Sequence, residues 1–317
     1  MYDVAALGEL LIDFTCLSTD ADGYPTMAAH PGGAPANYLA ALTKFGAKTA
    51  MIGKVGNDAF GRLLIKTLKG TGIDTRGMLV SDDVFTTLAF VTLDDSGNRE
   101  FSFARKPGAD TQLRFDEIDL GVIDASKVLH FGTLSMTNEP ARDATYKAVE
   151  YAAGRGKLIS FDPNLRKPLW NDLDEAKRQM LWGLLHADVV KISDEETEFL
   201  FSLAPEEAAK HIIDSFGVRL VYVTCGAEGC FYRTKTASGF VKALSGIAVK
   251  DTTGAGDIFG GSSMYGLLKA GGVPEKLTAE ELKEIVSFAC ASAGLSTTRA
   301  GGISSVPELG EVEAAMR

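Results

Sequence analysis

Short apolar, β-branched runs alternate along this chain with longer segments of helical period. The runs are Val4–Leu11, Lys48–Val55, Lys127–Phe131, Lys157–Asp162, Val189–Ser193 and Leu220–Thr224. Between them lie Ala36–Phe45, Asp58–Lys69, Ala141–Gly154, Leu173–Leu185 and Pro205–Phe216, with Ala279–Thr297 reading as a further buried helix near the C-terminus. Successive strands joined through a helix pair in parallel, so this rhythm demands an α/β fold with a mostly parallel sheet and helices on its faces. At 317 residues the chain exceeds the roughly 250–300 at which one core stops growing, which leaves room for an appendage or a second domain.

Two segments break the rhythm. Phe14–Pro31 and Val84–Arg105 carry no helical period. In the second, Thr87, Ala89 and Val91 alternate with Leu88, Phe90 and Thr92, and Asp94-Asp95-Ser96-Gly97-Asn98 is a turn leading into Glu100–Arg105. That pattern is a hairpin, and a small β flap buries little by itself, so it must cover a site or a partner. The expected division is a core of 1–13, 32–83 and 111–317 with a β lid of 14–31 and 84–110.

Charge and cysteine usage narrow the function classes. A net charge of −10 argues against nucleic acid and anionic membranes, which attract basic surface; an anion such as ATP must be held by local features, a metal ion among them. Asp3, Glu9 and Asp13 interrupt the N-terminal apolar run, which therefore does not read as a signal peptide. No window approaches 18 uncharged apolar residues, so no span is expected. Cys16, Cys225, Cys230 and Cys290 are too scattered for a disulfide framework or a zinc site. A cytoplasmic setting fits.

Chemistry concentrates in residues 251–262, Asp-Thr-Thr-Gly-Ala-Gly-Asp-Ile-Phe-Gly-Gly-Ser. Gly254, Ala255 and Gly256 leave backbone N–H groups open where a helix starts and runs to the Gly271-Gly272 stop. N–H groups and helix dipole together make an anion site, and Asp257 stands beside it. In isolation Asp257 reads as a helix cap; with an anion held next to it, it reads as a base for phosphoryl transfer. A second constellation occupies 32–58, where Gly32 and Gly33 precede a helix carrying Asn37 in its first turn. Asn37, and Asp13 at the end of the first strand, are short polar groups suited to gripping hydroxyls. No Ser-His-Asp order or metal-spaced His/Cys cluster is evident, and His130 reads as a structural histidine on a central strand.

These two segments, in this order, resemble the signatures of the ribokinase-like (PfkB) carbohydrate kinases, and the resemblance runs from Asp3 through Pro307. Lys106-Pro-Gly-Ala-Asp110 and Asp162-Pro-Asn-Leu-Arg166 make the bacterial fructokinases the nearest branch. The resemblance implies a three-layer α/β/α core with a small β-sheet lid, and a kinase acting on a primary hydroxyl with ATP and Mg²⁺. By it, Asp257 is the base and the N–H groups of Gly254, Ala255 and Gly256 are the anion hole. Asp13, Gly32, Gly33 and Asn37 match sugar-binding positions. Phe103, Arg105 and Arg166 match positions that close over the sugar.

For the nucleotide, the resemblance points to Lys191, Ser193, Thr224, Gly226, Gly229, Gly256 and Cys290. Glu196 ends a segment tied to Mg²⁺ in the family, where Ser193 replaces the usual asparagine, so Glu196 is expected to act on the metal through water. Asp251, Thr253, Ser296, Arg299, Gly301 and Ser305 correspond to positions that surround a monovalent cation, usually K⁺. The preferred acceptor is fructose, with 2-keto-3-deoxygluconate second. An exposed flap sheet invites pairing with a second copy, giving a homodimer through the lid. From other classes, a dinucleotide oxidoreductase lacks the strand and ribose-binding acid its fingerprint requires, and a sugar-binding regulator would have no use for Asp257. No Walker P-loop occurs, since no Gly-Lys-Ser/Thr is present.

Overall fold

The computed structural model describes residues 1–93 and 99–317; the expected turn at Asp94–Asn98 lies outside them. The strands in chain order are β1 (Tyr2–Leu7), β2 (Leu11–Thr19), β3 (Pro25–Gly32), β4 (Thr49–Gly56), β5 (Asp74–Ser81), β6 (Leu88–Leu93), β7 (Arg99–Ala104), β8 (Ser126–Gly132), β9 (Leu158–Asp162), β10 (Val189–Ser193), β11 (Leu220–Thr224), β12 (Gly229–Arg233) and β13 (Ser238–Lys242). The helices are α1 (Ala34–Lys44), α2 (Ala59–Thr71), α3 (Leu120–Asp124), α4 (Ala141–Gly154), α5 (Leu173–His186), α6 (Asp194–Phe201), α7 (Pro205–Phe216), α8 (Ala255–Lys269), α9 (Ala279–Ser296) and α10 (Leu309–Ala315).

Among the described residues a nine-stranded sheet runs β13-β12-β11-β10-β9-β8-β1-β4-β5. Its pairings are parallel except at the β11–β12–β13 edge. The pleat sorts side chains into two cores: Val4 and Ala6 face α1, α8 and α9, while Ala5 and Leu7 face α4, α5 and α7. This is the expected three-layer α/β/α fold.

The small sheet, β3-β2-β6-β7, is the expected lid. Its composition corrects one boundary. The run Val4–Leu11 is not one strand: β1 ends at Leu7, the chain leaves the sheet at Gly8 (φ +156°), and Leu11 opens β2. A Cβ on Gly8 would lie 2.8 Å from Pro35 Cγ, so the bend packs directly under α1. Asp13 therefore stands on a lid strand rather than at the end of the first core strand. The flap hairpin is tied at its base by Asp110, whose carboxylate takes Thr87 Oγ1 at the start of the hairpin and Arg105 at its end. No helix among the described residues is long and apolar enough to cross a membrane.

Candidate active site

The site forms where two sequence-distant helices approach closely. A Cβ on Gly261 of α8 would lie 2.2 Å from the Tyr38 carbonyl, and one on Gly260 3.2 Å from the Tyr38 ring. These glycines let α1 sink against α8, and Asn37 Nδ2 then donates to Asp257 Oδ2 at 2.9 Å. Burial raises the Asp257 pKa, opposed by Lys191, the Asn37 hydrogen bond and Arg166, with Glu196 adding to the rise. Asn37 Oδ1 is buried with no hydrogen-bond partner, an acceptor waiting for a donor.

Gly254 caps α8 in the left-handed conformation, φ +75°. Ala255 N donates to Thr252 O at 3.3 Å, so the open donors of the helix start are those of Gly254, Gly256 and Asp257 rather than Ala255. Two cavities meet at this point. One, of about 240 Å³, is lined by Asp13, Gly33, Asn37, Phe103, Arg166 and Asp257, with Gly254 at its edge. The other, of about 530 Å³, holds Thr224, Gly226, Gly229, Cys290, Ala255 and Gly256. Thr252 borders both, so segment 252–257 is the wall between them.

The first cavity is carboxylate-rich. Glu9 and Asn164 also line it; in the sequence Glu9 is marked only as a charge interrupting an apolar run, and Asn164 only as part of the segment Asp162–Arg166. Glu9 Oε1 accepts from Ala34 N at 2.8 Å, and burial lifts its pKa to about 7. Asp13 is likewise pushed up to about 7 by burial, against Arg166. Its carboxylate lies against Gly32, where a Cβ would be 2.2 Å from Oδ2. Arg166 is exposed at the rim. Arg105 does not reach this cavity: its guanidinium is buried on Asp110 at 2.6 Å, Thr137 at 2.7 Å and the Leu134 carbonyl at 2.7 Å. It anchors the flap, and lines a separate cavity with Phe103 and Pro107.

Lys191 and Ser193 are absent from the lining of the second cavity; beside the first turn of α8, Lys191 Nζ lies 3.0 Å from Asp162 Oδ2. Glu196 accepts from Leu165 N at 2.7 Å and Ser193 N at 2.8 Å, one on each oxygen, and Ser193 Oγ caps Glu196 N at 3.2 Å. The serine thus completes a capping box. Gly229 is a glycine for packing, because a Cβ there would be 2.0 Å from the Val241 carbonyl; at Gly226 (φ +51°) nothing crowds a Cβ.

Asp251 links the loops expected around a cation. Its Oδ1 takes Thr253 N at 2.9 Å and Oγ1 at 2.7 Å, and its Oδ2 takes Gly301 N at 2.9 Å. Ser296 and Ser305 turn their hydroxyls to the carbonyls of Ala293 and Gly302, and Arg299 pairs with Glu311. His130 stacks on Tyr38 at 3.7 Å, and burial lowers its pKa to about 3; it is a neutral structural histidine.

A family model described as pfkB family carbohydrate kinase matches residues 1–309. The chain is 40% identical to the probable fructokinase-4 of Arabidopsis thaliana, covering 99% of this chain and 96% of that one. It is also 40% identical to fructokinase-2 of Solanum lycopersicum, over 97% and 94%. Its fold matches a fructokinase from Xylella fastidiosa with bound ATP at a TM-score of 0.91 and 30% identity, covering 100% and 98%. A fructokinase double mutant from Vibrio cholerae with fructose, ADP and potassium ion bound matches at 0.87 and 30%, covering 100% and 99%. With both signature segments joined in one site and the family model spanning nearly the whole chain, the chain belongs to the pfkB family of carbohydrate kinases.

Proposed function

We propose that the chain transfers the γ-phosphoryl group of ATP to the primary hydroxyl of D-fructose, giving D-fructose 6-phosphate. The observation that carries this reading is the meeting of two cavities at the N-terminus of α8, with Asp257 on one side and open backbone N–H groups between. The smaller cavity takes the sugar, with Asp13 and Asn37 on its hydroxyls. Asp257, its pKa raised and its carboxylate aimed by Asn37, accepts the proton of the attacking hydroxyl. The N–H groups of Gly254 and Gly256, the helix dipole and Lys191 stabilise the charge that develops on the transferring group.

Fructose is favoured over 2-keto-3-deoxygluconate by electrostatics. Glu9, Asp13 and Asp257 line the sugar cavity against one guanidinium, Arg166, because Arg105 is paired with Asp110. A sugar acid would place a fourth carboxylate there. A fructokinase at 0.91 TM-score supports the same choice.

Among the described residues no cluster of three or more His, Cys, Asp or Glu side chains is arranged to hold a metal. Mg²⁺ would come with the nucleotide phosphates and supply charge neutralisation there, and Glu196, with both oxygens on backbone N–H groups, would meet it through water. For a monovalent cation the chain offers the segments 251–253 and 296–305, held together by the Gly301 N–H donated to Asp251; K⁺ would be held there by oxygens of those segments. Leu17 and Tyr24, exposed on the lid, support a homodimer through it, and four free thiols suit a reducing cytoplasm.

The test is a coupled ADP-release assay across fructose, 2-keto-3-deoxygluconate, ribose, tagatose and a nucleoside. Fructose is expected to give the highest kcat/KM. Another sugar in first place overturns the acceptor, and silence with all five overturns the kinase.

A further inference from the structure

A cation placed at a helix N-terminus opposes the helix dipole, yet Lys191 does this. A Cβ on Gly256, in the first turn of α8, would lie 3.0 Å from Lys191 Nζ and 3.6 Å from Cε. The side chain is only 12% exposed, so solvent does not hold the charge. Three carboxylates face it: Asp162 from β9, Glu196 from α6 and Asp257 from α8. Glu196 is engaged by two backbone N–H groups, and Asp257 by Asn37. Asp162 alone is hydrogen-bonded to the amine, at 3.0 Å and 3.3 Å through its two oxygens.

We propose that Asp162 is a positioning residue for phosphoryl transfer, holding the Lys191 amine at the mouth of the α8 cradle before the nucleotide arrives. The inference rests on the kinase reading above. β9 and β10 are parallel neighbours, with Val189 beside Ser160 and Val190 beside Phe161, so the two side chains rise from adjacent strands at the C-terminal edge of the sheet. Asp162 is further fixed by Asn164 N at 3.2 Å. A charge already in place when the transition state forms needs no reorganisation, which is where electrostatic catalysis gains most.

Asp162 also keeps the base free. Without it, the carboxylates left facing the buried amine are Glu196, whose two oxygens each hold a backbone N–H group, and Asp257, which Asn37 engages through Oδ2; a lysine drawn to Asp257 would compete for the oxygens that take the sugar's proton. The cradle therefore depends on a carboxylate that touches neither substrate.

The experiment is a double-mutant cycle read as steady-state kinetics on the full chain with fructose and ATP. Asp162→Asn is expected to lower kcat by up to about 10²- to 10³-fold, the range set by losing one stabilising donor, while the KM for fructose stays within about twofold. Lys191→Met is expected to lower kcat comparably. In the Lys191→Met background, Asp162→Asn should change kcat by no more than about twofold, because the residue it serves is gone. A structural role would instead give losses that multiply, and that result overturns the proposal, as does an Asp162→Asn variant with near-native kcat. If Asp162→Asn does not fold, the double variant, which removes both buried charges together, decides: near-native kcat overturns the assignment and a loss equal to that of Lys191→Met supports it. A native chain inactive on all five acceptors would instead strike at the kinase reading itself.

Discussion

Asn37 and Asp257 stand 220 positions apart in the chain and are joined by a 2.9 Å hydrogen bond. One end of that bond belongs to the first signature segment and the other to the second, so the two motifs are halves of one device. Asn37 aims the carboxylate, and its own Oδ1 is buried against Gly302 without a hydrogen-bond partner. Asp257→Asn keeps the shape and removes the base. It is expected to lower kcat by about 10²- to 10⁴-fold, the usual contribution of a positioned base, with ATP affinity by calorimetry nearly unchanged. Near-native turnover would refute the assignment.

Gly302 closes over the other side of Asn37. A Cβ there would lie 2.2 Å from Asn37 Oδ1. Gly302→Ala is expected to push the amide off Asp257, raising the KM for the sugar and lowering kcat together, and to destabilise the fold by about 1–3 kcal/mol through overpacking. Thermal melts and steady-state kinetics on one preparation check both effects. An alanine variant with native kinetics would mean that Asn37 is not held where the structure places it.

The Arg105–Asp110 pair at the base of the flap is almost fully buried and shares Thr87 and Thr137. Asp110→Ala leaves a buried guanidinium uncompensated and is expected to cost about 3–5 kcal/mol, read as a fall in the urea midpoint. Arg105→Met with Asp110→Leu should recover much of that stability, because an apolar pair of similar volume replaces the ion pair. The sugar KM of the double variant tests whether Arg105 has any direct part in binding; none is expected.

Acid should weaken the sugar site. Asp13 is pushed up to about 7, chiefly by burial and further by Asp257 and Asp251, with Arg166 opposing. Below about 7 it carries a proton and loses half its acceptor character, so the KM for the sugar is expected to rise as pH falls through 7. Asp13→Asn should flatten that limb. Stability moves the other way. The folded pKa lies above the ordinary carboxylate value, so between about 4 and 7 the folded chain binds the proton that the unfolded chain has shed, and stability falls as pH rises across that window. Asp13→Asn is therefore expected to raise Tm at pH 8 and leave it unchanged at pH 4.

Strands of the core were legible because burial on both faces leaves continuous β-branched runs, and helices because one buried face recurs at the helical period: β10, β11, α4 and α7 fall at the expected residues. The run Val4–Leu11 misled for the same reason. Leu10, Leu11 and Ile12 are as buried as Val4, and hydropathy does not register a chain crossing from one sheet to another at Gly8. In the site, backbone-dependent features were readable from glycine spacing, as at Gly254 and Gly33. Side-chain destinations were not. Arg105 and Arg166 look alike in sequence, yet one is locked to Asp110 and the other stands at the cavity rim. Glu9 gave no signal because a single carboxylate after a glycine has no period; only the fold turns it toward Ala34.

The bond between α1 and α8 also has a consequence for a growing polypeptide. The half-site bearing Asn37 is synthesised early, and the half bearing Asp257 and Gly302 near the end. A nascent or C-terminally clipped chain that stops before α8 already carries every described strand, since β1 through β13 precede α8, yet it lacks the carboxylate proposed as the base. On the proposed reading of Asp257, phosphoryl transfer therefore waits until translation has supplied α8.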